Sequence, residues 1–203
     1  MNDKRTTRTI SITSGKGGVG KTSLLSNLAL DLSQKGSKVL LLDGDFGMAN
    51  LDIMFNVRAP KHIDDVVKGN ATLEEILVPV HENVYLIPGG SGVYGMNQMD
   101  YLQRQSLLDQ VSQLDQKFDY MLIDTAPGID DNVLYLNSAA EEILVVLTPD
   151  PSSLADAYAL IKVLHQRQHE TRFSIVCNLV RDEQEALTIY KRLSDVAAKF
   201  LFV

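Results

Sequence analysis

The stretch SGKGGVGKTS, residues 14–23, constrains this chain more than any other part of its sequence. Its glycines permit a tight turn whose backbone N–H groups point inward, which is the geometry of a phosphate-binding loop. Gly15, Gly20, Lys21 and Thr22 satisfy the spacing G-x-x-x-x-G-K-[ST]. An apolar run precedes the loop and a helical pattern follows it, so the predicted setting is a strand, the loop and a helix.

The loop predicts contacts to the phosphates of a nucleotide. Lys21 would neutralise the β and γ phosphates, and the hydroxyl of Thr22 would bind Mg²⁺. The N-terminus of the following helix adds a favourable dipole. The predicted nucleotide contacts in the loop are Gly15, Lys16, Gly17, Gly18, Val19, Gly20, Lys21, Thr22 and Ser23. The second lysine, Lys16, is not required by this spacing and needs a role of its own.

Short apolar runs alternate with longer amphipathic stretches along the chain. The predicted strands are 8–13, 38–43, 84–88, 119–124, 143–148 and 173–178, and the predicted helices are 21–35, 61–77 (as two short pieces), 98–117, 131–140, 152–169 and 183–201. The strands are apolar without strict alternation, as expected when helices cover both faces of a sheet. This order predicts an α/β fold of the P-loop NTPase type, with a doubly wound and mostly parallel sheet, in a single domain spanning 1–203.

Local signals predict where individual helices begin, end and pack. Gly36 follows the first helix and suits a left-handed C-terminal cap. Ser153 with Asp156, just after Pro151, predicts a capping box. In the last helix we expect the apolar residues at helical spacing to pack on the sheet; these are Ala186, Tyr190, Leu193, Ala197 and Phe200.

Three aspartates stand where predicted strands end. Asp43 and Asp45 follow the second strand, and Asp124 follows the fourth. Because the carboxyl ends of strands line the ligand crevice of an open α/β sheet, we expect these side chains near the loop. Three anions repel a polyphosphate unless a divalent cation lies between them. The sequence therefore predicts bound Mg²⁺.

Composition argues against nucleic-acid-binding, disulfide-bonded, membrane-spanning and secreted proteins. The chain has 203 residues, a formal net charge of −7 and one cysteine, Cys177. The acidic balance argues against a nucleic-acid partner, and a lone cysteine forms no internal disulfide, in keeping with the reducing cytoplasm. The sequence has no apolar run long enough to cross a bilayer, and MNDKRTTRTI lacks the apolar core of a signal peptide. We therefore expect a cytoplasmic location.

The loop and its neighbouring motifs resemble a known family. KGGVGKT with its early lysine, DGDFGMANLD and IDTAPGID are similar to the deviant Walker A ATPases of the ParA/MinD family. Within that family, GDFGMANLD at 44–52, VKGNATLEEIL at 67–77 and IPGGSG at 87–92 resemble the flagellar-number regulators called FlhG or FleN. The likeness runs from residue 8 or so to the end of the chain.

The resemblance implies an activity and a role for each matching residue. The activity would be slow, Mg²⁺-dependent and dimer-activated hydrolysis of ATP to ADP and phosphate, in a switch that regulates flagellar number or placement. Lys16 would reach across a nucleotide-sandwich dimer to the partner's phosphates, and Asp45 would position the attacking water. Thr22, Asp43 and Asp124 would hold Mg²⁺. Asn178 would read the adenine edge, since an amide both donates and accepts hydrogen bonds.

The resemblance also implies partners. They are a second copy of the chain in an ATP-dependent homodimer, and flagellar proteins such as the GTPase FlhF, a transcription regulator or a C-ring component. The family continues past the position of Val203 into a further strand, a loop over the adenine and an amphipathic membrane helix. We therefore expect a C-terminally truncated sequence, with reversible membrane association confined to the full-length protein. The segment MNDKRTTRTI departs from the D-Q-A-x-x-L-R-type motif that stimulates FlhF.

Other functions compatible with a phosphate loop stay open at the level of sequence. A MinD-like division-site ATPase and a ParA-like partitioning ATPase would use the same residues. A non-hydrolysing nucleotide-binding scaffold would keep the loop and lose turnover. A metabolic P-loop kinase or synthetase is less favoured, because no arginine-rich lid and no site for a phosphoryl acceptor are evident.

Overall fold

The alternation of apolar and amphipathic segments produces a layered α/β structure. The computed structural model describes residues 7–45, 49–90, 102, 106, 110–111, 114 and 117–201. Its strands are β1 (Arg8–Thr13), β2 (Val39–Gly44), β3 (Val78–His81), β4 (Val84–Ile87), β5 (Tyr120–Thr125), β6 (Glu142–Leu147) and β7 (Ser174–Cys177). Its helices are α1 (Lys21–Gln34), α2 (Leu51–Met54), α3 (Ile63–Val67), α4 (Leu73–Ile76), α5 (Asp131–Ser138), α6 (Pro151–Gln168) and α7 (Glu183–Leu201).

All six predicted strands are present, with bounds that differ from the prediction by one residue at most. The two short helices predicted within 61–77 are α3 and α4. Two further elements, α2 and β3, were not predicted. β3 (VPVH) has alternating burial and contains Pro79, which is tolerated at the edge of a sheet but weakens the strand signal. The predicted helix at 98–117 lies mostly outside the described residues, and positions 102, 106, 110, 111 and 114 within it are helical.

The described strands form a seven-stranded sheet in the order β3-β4-β2-β5-β1-β6-β7. β2 pairs with β4 in parallel, with Val39 opposite Val84. β6 runs parallel to both β1 and β7. The edge strand β3 is antiparallel to β4, with a register shift between Pro79 and His81. The prediction of a mostly parallel sheet is therefore confirmed.

The chain divides into two compact units. The first contains Met1–Thr9 and Thr22–Asp124, and the second contains Ile10–Lys21 and Thr125–Val203. In the first unit the core consists of apolar residues of β2, β4 and β5 with side chains from α1, α3 and α4. Its most deeply buried members include Leu25, Val39, Leu41, Leu73, Val84, Leu86 and Leu122.

The second unit has a core of its own, built from β6 and the helices α5, α6 and α7. Its members are Val133, Leu134, Ile143, Val145, Leu147, Ala157, Leu160, Ile161, Leu164, Ile189, Leu193 and Leu201. The predicted face of α7 was therefore partly wrong. Leu193 and Ala197 are buried, but Tyr190 and Phe200 are exposed. Ile189 and Leu201 take their places, because the contacting stripe is rotated around the helix from the predicted one.

The helix ends confirm one predicted cap and correct another. Gly36 has φ of 85°, and Ser37 N–H donates to Leu32 O over 3.0 Å, as in a glycine-ended helix. The capping box at Ser153 was wrong, because α6 begins after Asp150, whose carboxylate accepts from Ser152 N–H. Ser153 instead accepts from Thr148 N–H. Pro151 at the first helical position indicates this start, since proline is favoured there.

Among the described residues, no helix combines the length and the hydropathy that crossing a bilayer requires.

Candidate functional site

The second unit holds the glycine-rich loop, which connects β1 to the first residue of α1. Gly20 has φ of 94°, and a Cβ placed on it would lie 2.5 Å from Asn178 Nδ2. A Cβ on Gly15 would lie 2.2 Å from the backbone carbonyl of Asp156 in α6. The loop therefore requires glycine at these two positions, because α6 and the end of β7 approach its backbone closely.

Lys21 is buried, with 8% of its surface exposed. Its Nζ donates to Ser14 Oγ over 3.0 Å. The same hydroxyl donates to Lys16 O over 2.7 Å, and Ser14 O accepts from Gly128 N–H over 2.9 Å. Sequence reasoning missed Ser14, because the loop pattern begins one residue later, at Gly15.

Lys16 occupies a different environment, at the surface. Its side chain is 39% exposed, and its Nζ lies 2.5 Å from both Asp150 Oδ2 and Ser152 Oγ at the start of α6. Hydrogen bonds from Lys16, and then from Ser152, lower the pKa of Asp150 to about 2. Sequence analysis did not connect Asp150 and Ser152 with the loop. The Asp-Pro pair that marks the start of α6 is the signal that identifies Asp150 as the N-cap residue.

Asn178, which the resemblance assigns to the adenine edge, lies beside the loop, where its amide already has a partner. Its Nδ2 donates to Val19 O over 2.8 Å. Val19 is buried, Gly17 and Gly18 are exposed, and Ser23 lies on the exposed side of α1. The structure thus brings Asn178 to the loop backbone, with Oδ1 and the second amide hydrogen of its side chain as groups suited to a base.

Buried hydroxyl and amide groups support the strand that leads into the loop. Ser11 Oγ donates to Asn137 Oδ1 over 2.8 Å, and Asn137 Nδ2 donates to Thr13 Oγ1 over 3.2 Å. Thr125 Oγ1, at the end of β5, donates to Thr13 Oγ1 over 2.9 Å. These four residues are at most 1% exposed. A buried polar group that lacks a hydrogen-bond partner destabilises the fold, so each of these groups is held to its partner. The network therefore fixes the end of β1.

The first unit holds the next loop residue in sequence, Thr22, together with the three predicted aspartates. Thr22 Oγ1 donates to Asp124 Oδ2 over 2.6 Å. Asp124 is 4% exposed at the end of β5. The structure therefore brings together the hydroxyl and one of the carboxylates that were predicted to bind Mg²⁺.

Asp43 is buried at the end of β2 and organises the chain that follows. Its Oδ2 accepts from the backbone N–H groups of Asn50 and Leu51 over 2.9 and 3.0 Å. Its Oδ1 accepts from Asp45 N–H over 3.3 Å. Burial raises the pKa of Asp43 to about 6, and the nearby charge of Asp124 adds to the rise, although the backbone hydrogen bonds oppose it. A carboxylate held at such a pKa is typical of a functional site.

Asp45 is half-buried just after β2, and its backbone is fixed by Asp43. Residues 46–48 of the motif GDFGMANLD lie outside the described residues. Within the described ranges, no three histidine, cysteine, aspartate or glutamate side chains form a group able to hold a metal ion.

Comparison with known proteins shows which family this chain belongs to. The model of the family described as AAA domain matches residues 7–177. Antiactivator FleN of Pseudomonas aeruginosa is 36% identical over 203 residues, which cover 100% of this chain and 72% of FleN. The flagellum site-determining protein YlxH of Helicobacter pylori is 38% identical over 200 residues, covering 97% of this chain and 66% of YlxH. The chain thus spans about two thirds to three quarters of the length of these relatives.

A solved structure shares the fold of this chain. The septum site-determining protein MinD of Pyrococcus horikoshii, solved in complex with Mg-ADP, superposes with a TM-score of 0.70 and 31% identity, over 90% of this chain and 77% of that chain. This chain belongs to the ParA/MinD family of P-loop ATPases, in which the flagellar proteins FleN and YlxH are among its relatives.

Proposed function

We propose that this chain is an ATP-dependent dimerising switch that hydrolyses ATP slowly and regulates the number or placement of flagella. The observation that carries the proposal is the contrast between the two loop lysines. Lys21 is buried within its own loop, whereas Lys16 is exposed and held by two surface groups. An exposed cation beside a phosphate loop suits a charge that is delivered to a second subunit, as an arginine finger is.

The donor set of the first unit fits Mg²⁺. Thr22, Asp43 and Asp124 offer a hydroxyl and two carboxylates, which are the hard oxygen ligands that Mg²⁺ prefers, usually with several waters and substrate phosphates. A hydroxyl and two carboxylates with room for waters and phosphates suit an ion that arrives with its nucleotide. When bound, Mg²⁺ would supply charge neutralisation of the phosphates. Thr22 and Asp124 would hold it, and ionised Asp43 would balance its charge.

In the proposed mechanism Lys16 acts in trans. Asp150 and Ser152 hold its ammonium in the single chain. Dimer formation would exchange these surface partners for the phosphates of the facing subunit. Exposed ion pairs contribute little to stability, so this exchange is easy. Hydrolysis would then wait for dimer formation, because positioning and charge stabilisation supply most of the catalysis of phosphoryl transfer.

Two further residues complete the proposed site. Asp45 would orient the attacking water, a role that suits a half-buried carboxylate following β2. Asn178 would discriminate adenine from guanine, using the amide groups that the Val19 carbonyl does not engage. The similarity to FleN and YlxH supports the flagellar role of the switch. For the longer protein, partners such as FlhF, a transcription regulator or a C-ring component, and reversible membrane association, belong to the same proposal.

Phosphate release by the purified chain tests the enzymatic part of the proposal. We expect release that requires Mg²⁺, prefers ATP to GTP and shows specific activity rising with protein concentration. Specific activity that stays flat while the protein passes from monomer to dimer would remove the dimer-activated mechanism. A complete lack of turnover, with ATP binding retained, would favour the non-hydrolysing scaffold.

A genetic experiment tests the biological part. Deleting the gene should change the number or position of flagella on each cell, counted by electron microscopy. An unchanged flagellar pattern with misplaced division septa would favour a MinD-like role instead. The two outcomes separate the candidate functions within one family.

A further inference from the structure

Ser14 connects the two lysines of the loop through one hydroxyl group. Its Oγ lies 3.0 Å from Lys21 Nζ and 2.7 Å from Lys16 O. An ammonium has no acceptor and a carbonyl has no donor, so the directions are determined. The hydroxyl accepts from Lys21 and donates its hydrogen to Lys16 O. Ser14 is 0% exposed, so water does not compete for either bond.

We propose that Ser14 is a positioning residue for nucleotide binding, acting through Lys21. One of the three N–H donors of the Lys21 ammonium is used by Ser14. This bond restrains the orientation of the ammonium before a phosphate arrives. A side chain oriented in advance loses less conformational entropy on binding, which raises affinity. The inference rests on the proposed ATPase function and deepens it.

The second bond of Ser14 extends the effect to the start of the loop. By donating to Lys16 O, the hydroxyl fixes the peptide that follows Lys16. The backbone of Ser14 is held in turn by Gly128 N–H, in the segment between β5 and α5. Ser14 therefore stands where the anchored end of β1 meets the loop. The backbone of Ser14 is anchored at the start of the loop, and its side chain contacts Lys21.

Ser11 offers a matched comparison within β1, three residues before Ser14. It is also 0% exposed, and its hydroxyl also donates to a buried acceptor, Asn137 Oδ1. Ser11 has no hydrogen bond to either lysine among the contacts of the described residues. Truncating either serine to alanine removes a buried hydroxyl of the same size, from β1 in one case and from the residue just after β1 in the other. A purely structural role would therefore give both variants the same behaviour.

The test compares Ser14→Ala with Ser11→Ala in the intact chain. Dissociation constants for ATP and ADP with Mg²⁺ would be measured by titration, and thermal unfolding would be followed without nucleotide. We expect both variants to unfold at a somewhat lower temperature than the unaltered chain. Only Ser14→Ala should bind both nucleotides more weakly, by about tenfold, because a hydrogen bond to a charged group is lost.

The outcomes separate this inference from the function on which it rests. If Ser14→Ala binds both nucleotides as tightly as the unaltered chain, or loses no more affinity than Ser11→Ala, Ser14 does not position Lys21. If the unaltered chain itself binds neither ATP nor ADP, the proposed function fails and this inference fails with it. A selective loss in Ser14→Ala, at a stability matched by Ser11→Ala, supports the positioning role.

Discussion

Two lysines five positions apart in one loop have opposite surroundings. Lys21 is buried and its ammonium bonds to Ser14 inside the loop. Lys16 is exposed, and its ammonium lies between Asp150 and Ser152 at the start of α6. The difference suits the proposed mechanism, in which one short segment supplies a fixed charge and a transferable one. A buried cation has few alternative partners, whereas an exposed ion pair exchanges its partner readily.

The aspartates show the same contrast with the opposite sign. Burial raises the pKa of Asp43 to about 6, whereas the Lys16 ammonium lowers the pKa of exposed Asp150 to about 2. At neutral pH both carboxylates are ionised, but burial and the nearby charge of Asp124 disfavour the ionised form of Asp43. A buried anion of this kind favours a cation brought by a ligand. Asp150 instead has its counter-ion already.

Removing the fixed charge should have the largest effect. We expect Lys21→Ala to abolish binding of ATP and ADP, because a charge-assisted contact is lost where several phosphate anions meet. Titration with a fluorescent nucleotide measures it. Lys35→Ala is the control, since Lys35 lies just beyond α1 and pairs with Asp31 at the surface. If Lys21→Ala retained affinity within a few-fold of this control, the phosphate role of Lys21 would be wrong.

Removing the transferable charge should separate binding from hydrolysis. We expect Lys16→Ala to bind ATP within about twofold of the unaltered chain, since its contacts here are to Asp150 and Ser152. Phosphate release should nevertheless be lost, because in the proposed mechanism the missing charge acts on the partner's nucleotide. ATP titrations of the variant and the unaltered chain measure binding, and a phosphate-release assay on the same samples measures hydrolysis. Normal turnover in Lys16→Ala contradicts the proposed role.

The buried carboxylate should reveal itself in the pH dependence of stability. The folded-state pKa of Asp43 lies above its ordinary value of 3.8, so its protonation stabilises the nucleotide-free fold at low pH, and this stabilisation is lost as pH rises through about 6. Between pH 7.5 and 5 the unaltered chain should gain about 1 kcal/mol relative to Asp43→Asn, which does not titrate there. Urea unfolding without nucleotide measures the difference. A difference independent of pH would show that Asp43 is not held near this pKa.

Weakening the surface pair should have the smallest effect. Asp150→Asn keeps a cap for α6, because asparagine is an equally good N-cap residue, but removes the charge that holds Lys16. Hydrolysis at a fixed protein concentration should rise about two- to fivefold, as the lysine is released more easily. Asp130→Asn is the control, at the N-cap of α5 without a side-chain cap bond. A rise of equal size in both variants would assign the effect to net charge instead.

Much of the fold could be predicted because its signals are local. Each buried strand is a short apolar run, and the loop spacing identifies the phosphate site without any tertiary information. The edge strand β3 and the four-residue α2 are too short and too irregular to give such a signal. The predicted buried face of α7 was wrong in part because Tyr190 and Phe200 fit the helical period as well as Ile189 does. Packing against α6 and β7, rather than periodicity, decides between them.

The side-chain partners were beyond sequence reasoning for a different reason. The pairing of Lys16 with Asp150 joins residues that are far apart in the chain, and no local pattern links them. Ser14 precedes the loop pattern, so its hydroxyl had no assigned role. Asn178 was assigned to the adenine edge by resemblance, and its bond to Val19 O, which depends on the loop backbone, could not be read from the sequence. Such contacts follow from tertiary geometry.

The central claim is that Lys16 serves the nucleotide of the facing subunit while Asp45 serves its own. Mixing two variants tests it most directly. Lys16→Ala lacks the charge supplied in trans, and Asp45→Ala lacks the residue that orients water in cis, so each alone should bind ATP without hydrolysing it. A mixed dimer contains one complete site, made from Lys16 of one subunit and Asp45 of the other. Mixing equal amounts should therefore restore up to about a quarter of the unaltered phosphate release. If the mixture stays as inactive as the separate variants, although mixed dimers form, both residues act within one subunit and the account is contradicted.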